Sequence, residues 1–103
     1  MQLEKLLSLF GMARKAGRVS LGFDQAEAAI RSGKARAVFC SADVSDRVKR
    51  SLERRCGDWN VPFVPLPTDM FALSGAVGQK TGVVAVNDGG FAARALQLSA
   101  VTQ

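Results

Sequence analysis

The stretch that comes nearest to a chemical signature is Gly75-Ala76-Val77-Gly78-Gln79-Lys80-Thr81, and its spacing is wrong for a nucleotide. A nucleotide phosphate loop places Gly directly before Lys-Ser/Thr, four residues after an earlier Gly, between a strand and the helix it opens. Here Gln79 precedes Lys80, and the pattern runs from a helix into a strand, so the segment reads as a connecting loop. Acid/base chemistry finds no better footing. The chain has no histidine, which removes the commonest general base near neutral pH and the commonest metal ligand. Its nine carboxylates form no pair on one face, and Asp46, four residues before Arg50, is surface helix support. Cys40 and Cys56 stand 56 − 40 = 16 apart, too far for a Cys-x-x-Cys redox pair and too few for a four-ligand zinc site. They read as two small buried hydrophobes in a reducing compartment. A nucleophilic Ser or Cys would need Lys or a carboxylate as its base, and no local pattern offers one. No enzyme activity, cofactor or metal is therefore expected.

What remains is charge and an open helix start. Lys plus Arg exceed Asp plus Glu by 14 − 9 = 5. The excess lies entirely in residues 1–60, where twelve basic side chains meet seven acidic ones, while residues 61–103 hold two of each. A basic half favours phosphate-rich partners through Coulomb attraction and counterion release. Arg47, Arg50 and Arg54, flanked by Lys49 and Arg55, lie opposite an apolar helical stripe and read first as a solvated face. The turn at residues 18–25 is more specific. Gly22-Phe23 leads into a helix whose first residues, Asp24 and Gln25, present acceptor and donor groups, with Arg14, Lys15 and Arg18 close by in sequence. A helix start offers unpaired N–H groups and positive dipole to a nucleic-acid backbone or base edge. The plainer reading of Asp24 is a helix cap.

These groups must be held by elements that the hydrophobic periodicity outlines. Leu3, Leu6, Leu7, Phe10 and Ala13 predict a first helix of about fourteen residues stopped at Gly17. Residues 18–21 form a short strand, residues 24–32 a helix rich in alanine, and residues 35–41 an apolar strand covered on both faces. Ser45 caps a third helix that carries Val48, Leu52 and Cys56 inward and ends at Asn60. Residues 61–66 are a strand demoted to an edge by Pro62 and Pro65. Thr68-Asp69 opens a short fourth helix through Leu73, residues 82–86 form the last strand, and Asp88 caps a final helix. The order α-β-α-β-α-β-α-β-α predicts an α/β protein, a three-layer α/β/α sandwich on a four-stranded mixed sheet.

One domain spanning residues 1–103 accounts for this length. The longest uncharged stretches, residues 59–68 and 70–79, hold ten residues each, against the roughly 20 a spanning helix needs. No secretory cleavage pattern follows residues 6–13, so a cytoplasmic chain without membrane insertion is expected.

Taken together, the stretches LLSLFGMARKAGR (6–18), the Gly22 turn running into AIRSGKARAVF (29–39), SADVS (41–45), RRCGDWNVPFV (54–64), AVGQ (76–79) and VVAVNDGGFA (83–92) carry a resemblance. The chain resembles the kink-turn-binding ribosomal protein family of the L7Ae and L30e type, most closely the YlxQ-like group of its small bacterial members. The resemblance implies the same sandwich and a role as a sequence-nonspecific or kink-turn RNA binder in ribosomes or other ribonucleoproteins; a monomer is expected. In that family a Gly-x-Asn-Glu opening the second helix reads sheared G·A pairs, and a Lys one turn on holds phosphate. By position these correspond here to Gly22, Asp24, Gln25 and Ala28. The family's second contact is the loop before the last strand, here residues 78–82 with Val83. The implied RNA surface is thus Arg14, Lys15, Arg18, Gly22, Phe23, Asp24 and Gln25 with Gln79, Lys80 and Thr81.

Overall fold

The computed structural model describes residues 1–100. Nine elements follow in alternation: α1 (Leu3–Lys15), β1 (Val19–Leu21), α2 (Phe23–Arg31), β2 (Ala37–Cys40), α3 (Asp46–Asp58), β3 (Phe63–Pro65), α4 (Met70–Val77), β4 (Val83–Val86) and α5 (Gly89–Ser99). The expected order is observed. The strands form one mixed sheet in the order β1-β4-β2-β3, with β4 antiparallel to both neighbours and β2 parallel to β3. β3 is an edge, as its prolines require: Pro62 and Pro65 have no N–H to give a ladder on two sides.

Strand alternation divides the core into two halves, because successive side chains point to opposite faces. Phe39 of β2 and Val84 and Val86 of β4 face α1, α4 and α5, where Leu6, Phe10, Leu73, Ala95 and Leu98 cover them. Val38 and Cys40, with Val83 and Ala85, face α2 and α3 through Ala26, Ala29, Ile30, Leu52 and Cys56. Every residue of β2 and β4 is buried, which is why both read as continuous apolar runs. Phe10 and Phe39 meet at 5.0 Å between ring centroids, tilted by 56°, a geometry that adds about 0.5–1.5 kcal/mol to burial alone. The alanines of α2 let that helix lie close to the sheet. Among the described residues, no helix is long and apolar enough to cross a membrane.

Each strand is one to three residues shorter than expected, and α3 ends at Asp58 rather than Asn60; two other helix boundaries bear on the site. α4 runs to Val77 and closes on Gly78 in the left-handed conformation, φ 75°, a full turn beyond Leu73. The turn survives its glycine because Leu73 and Val77 are both buried, so packing outweighs the ~1 kcal/mol cost of Gly75 in a helix. α2 begins one residue earlier than Asp24, on Phe23, with Gly22 as its N-cap.

Candidate nucleic-acid interface

The sheet directions bring four loops to one end of the sandwich. β1, β2 and β3 finish there and β4 starts there, so the Gly22 turn gathers with the connections at residues 41–45, 66–69 and 78–82. Two backbone bonds make the junction concrete. Gly22 N–H donates to the Val83 carbonyl at 2.9 Å, and Ser41 N–H donates to the Gly82 carbonyl at 2.9 Å. The helix start and the loop before β4, far apart in sequence, are therefore adjoining.

Gly22 takes φ 89° and ψ 162°, a region that side chains with a Cβ rarely enter. Its carbonyl accepts from Ala26 N–H at 2.9 Å, which starts α2 without any side-chain cap. The three helices that follow differ: Ser45, Asp69 and Asp88 each accept a backbone N–H, from Val48, Ala72 and Phe91. Asp24 is thus not the cap that pattern alone suggested. It sits inside the first turn, exposed beside exposed Gln25, while Phe23 is half-buried against the α2/α3 core. The open N–H groups and positive dipole of α2 face outward next to the 78–82 loop.

That loop is pinned at both ends. Arg14 donates from Nη1 to the Val77 carbonyl and from Nη2 to Gln79 Oε1 at 3.2 Å, so a cation complements the negative end of α4 and ties the loop to α1. Ser74 Oγ accepts from Thr81 N–H at 2.9 Å and donates to the Thr81 carbonyl at 3.2 Å. The Thr81 hydroxyl donates to the Val83 carbonyl at 2.8 Å and accepts from Val83 N–H at 3.2 Å. Thr81 is buried and its hydrogen bonds are spent inside the protein, so it positions the loop rather than facing a ligand. Gly82 lies beneath Val44, Met70 and Ser41, and a Cβ there would come within 2.7 Å of Val44 Cγ1. Gln79 and Lys80 are exposed, and Lys80 has no ion-pair partner among the described residues.

Arg18 does not join this group. Its carbonyl accepts from Asn87 N–H at 2.8 Å, beyond the Val19–Val86 pair, so β1 separates it from Gly22. Four residues of strand amount to roughly 13 Å. Proximity in sequence suggested a cluster that an extended backbone pulls apart. Lys15 stays with the loop: exposed on the last turn of α1, it lines one groove with Arg14, Val77 and Gly78. Conversely, the sequence marks Lys49 only as a flank of the basic helical face and does not single out Phe71. Lys49 Nζ donates to the Ala42 carbonyl at 3.2 Å, which turns a residue assigned to a solvated face toward the gathered loops. Phe71 is 88% exposed, next to Met70, whose N–H donates to Asp43 Oδ1 at 2.9 Å. A count of α4 positions against a 3.6-residue period would have placed Phe71 opposite Leu73 and Val77.

The thiols are buried. Burial pushes Cys56 up to about 11, and raises Cys40 as well, partly offset by the nearby Lys49 charge. Among the described residues no group of three or more Cys, Asp or Glu could hold a metal ion.

Comparison with known proteins agrees with this architecture. Residues 4–95 match the model of the ribosomal protein L7Ae/L30e/S12e/Gadd45 family. The chain is similar to the RNA-binding protein YlxQ of Enterococcus faecium, 28% identical over 92% of this chain and 91% of that one. It is similar also to the RNA-binding protein YlxQ of Bacillus subtilis strain 168, 30% identical over 87% and 90%. A solved structure of a protein of unknown function from Bacillus halodurans superposes with TM-score 0.87 at 29% identity, covering 91% of this chain and 95% of the other. The Giardia lamblia 15.5kD RNA binding protein shares the fold at TM-score 0.81 and 24% identity, over 95% and 87%. With a family match spanning nearly all of the sandwich and relatives of the same length, the chain belongs to the ribosomal protein L7Ae/L30e/S12e/Gadd45 family.

Proposed function

We propose that this chain is an RNA-binding protein without catalytic activity, monomeric and cytoplasmic, which takes structured RNA of a ribosome or other ribonucleoprotein at the Gly22 end of the sheet. The observation that carries the reading is the uncapped start of α2 hydrogen-bonded beside the loop that presents Lys80. Backbone N–H groups of the first turn suit phosphate or a base edge. Gln25 and Gln79 supply amides, Lys80 and Lys15 supply charge, and Arg14, Thr81 and Phe23 hold these groups in place. Family membership and two RNA-binding relatives support the assignment.

Kink-turn discrimination is expected to be weak. Where the resemblance implies Asn, Asp24 accepts but cannot donate, and its charge repels phosphate. Gln25 loses the charge-assisted bond of a Glu, and Ala28, exposed one turn on, offers phosphate nothing. The test is a titration of a fluorescent kink-turn RNA and a matched duplex lacking the G·A pairs, at low and near-physiological salt. Comparable, salt-sensitive binding to both is expected. Binding to neither overturns the proposal in favour of a protein-interaction or ribosome-assembly module on the same fold, the reading that Asp24 and Ala28 favour.

A further inference from the structure

The opposite end of the sheet carries an aromatic over a polar cavity, and the surface just described does not use it. Trp59 terminates α3 and is 52% exposed. Its backbone is fixed on both sides: Trp59 N–H donates to the carbonyls of Arg55 and Cys56, and Val61 N–H to Cys56 at 2.8 Å. Asn60 between them takes the left-handed φ of 55°. The indole, Asn60 and Arg36 line a cavity of about 260 Å³ closed below by Ile30 and Ala35. A single exposed apolar side chain needs no partner. A tryptophan on a fixed backbone, lining a cavity that Arg36 also lines, is a different object, because the flat indole and guanidinium both suit a nucleobase.

The charge around it points the same way. Arg36 N–H donates to the Val86 carbonyl, and Asn87 N–H to Arg18, so Arg18 and Arg36 flank β4 at this end, two strand spacings or roughly 10 Å apart. Lys34 is exposed in the turn before Arg36, and Arg54 on the last turns of α3. None of these four has an ion-pair partner among the described residues, whereas Arg31 and Arg55 pair with Glu27. Against them stand Asp58, beside Trp59, and Asp88, whose carboxylate caps α5. The surplus at this end is cationic, and Arg36 brings it to the cavity that Trp59 lines.

We propose that this end is a second nucleic-acid contact, in which an unpaired base of single-stranded RNA stacks on Trp59 while Arg36 and Lys34 take the flanking phosphates. Arg18, displaced from the Gly22 end, extends the track along the sheet edge. The site stands independently of the Gly22 surface.

Trp59 is the chain's sole tryptophan, so its emission reports this cavity alone. Titration of the full chain with a short oligouridylate at low salt is expected to quench that emission to saturation. The affinity should fall with salt with a slope near about −0.7 per phosphate engaged. Arg36→Glu should weaken it about tenfold or more, and Lys80→Glu should leave it unchanged. Anisotropy of a labelled oligouridylate should show Trp59→Phe within a few fold of the parent and Trp59→Ala weaker by about tenfold, the range expected for one stacked base. Unchanged emission throughout the titration, or a quench indifferent to Arg36→Glu, overturns the proposal and leaves Trp59 to a protein partner. Binding of structured RNA with no quench by oligouridylate would sink this site alone, and a quench by oligouridylate without structured-RNA binding would sink the Gly22 surface alone.

Discussion

Lys80 and Thr81 are neighbours in one loop with opposite fates, and burial decides between them. Lys80 projects with no ionic partner among the described residues, so Lys80→Glu should reduce affinity for structured RNA by about tenfold or more at low salt while leaving Tm unchanged. The measurement is the titration of fluorescent kink-turn RNA described under the proposed function, and equal affinities would remove the loop from the interface. Gly82 lies on the other side of Thr81, where Ala would force its Cβ against Val44 Cγ1, Met70 Cε and Ser41 Oγ. Overpacking of this kind costs about 1–3 kcal/mol, and denaturant unfolding of Gly82→Ala should show that loss. The buried thiols give a pH dependence. Cys56 holds its proton to about 11 in the fold, whereas in the unfolded chain it titrates near the ordinary 9.0. The unfolded state then binds fewer protons between these values, so stability is full below pH 9 and falls as pH rises toward 11. Cys56→Ala should flatten that slope in a plot of Tm against pH, whatever its cavity does to the absolute Tm.

Among elements, α4 and its following loop show what periodicity could and could not tell. Apolar runs at residues 35–41 and 82–86 were legible as the two buried strands, since β2 and β4 have helices on both faces. Pro62 and Pro65 announced an edge by chemistry alone. Caps at Ser45, Asp69 and Asp88 were equally plain, because each side chain meets its own helix three residues on. The end of α4 was not. Its last turn holds Gly75, which propensity disfavours, and the stabilising contacts come from the sheet and from α1, whose Arg14 is 77 − 14 = 63 residues from Val77. Arg14 belongs to the same case: from sequence it was one cation of a cluster, and only the fold brings it to the Val77 carbonyl and Gln79. Arg14→Ala should cost about 1–3 kcal/mol, the range for leaving a charged group's partners unmet. It should also weaken structured-RNA binding by loosening residues 78–82. Arg14→Lys, which keeps the charge but cannot bridge both acceptors in one plane, should recover the charge-dependent part of binding and less of the stability.

At the scale of the whole molecule, the sheet sorts the excess charge of residues 1–60 into two ends, and no reading of local sequence could do this. Arg18 and Gly22 are four residues apart, yet β1 sends one to each end; Lys49, on the first turn of α3 and bonded to the Ala42 carbonyl, and Lys80 are thirty-one apart, yet they share one end. Two cationic ends separated by the length of the strands make a distinct claim about salt. If one RNA reaches both, the number of phosphates neutralised grows, and the slope of log affinity against log salt steepens by about 0.7 for each added single-strand contact. A kink-turn RNA carrying a single-stranded tail should therefore bind with a steeper slope than the same RNA without it. Arg36→Glu should return the tailed RNA to the slope of the untailed one without changing the latter. Identical slopes for both RNAs in the parent chain would mean that the two ends are not bridged by one strand.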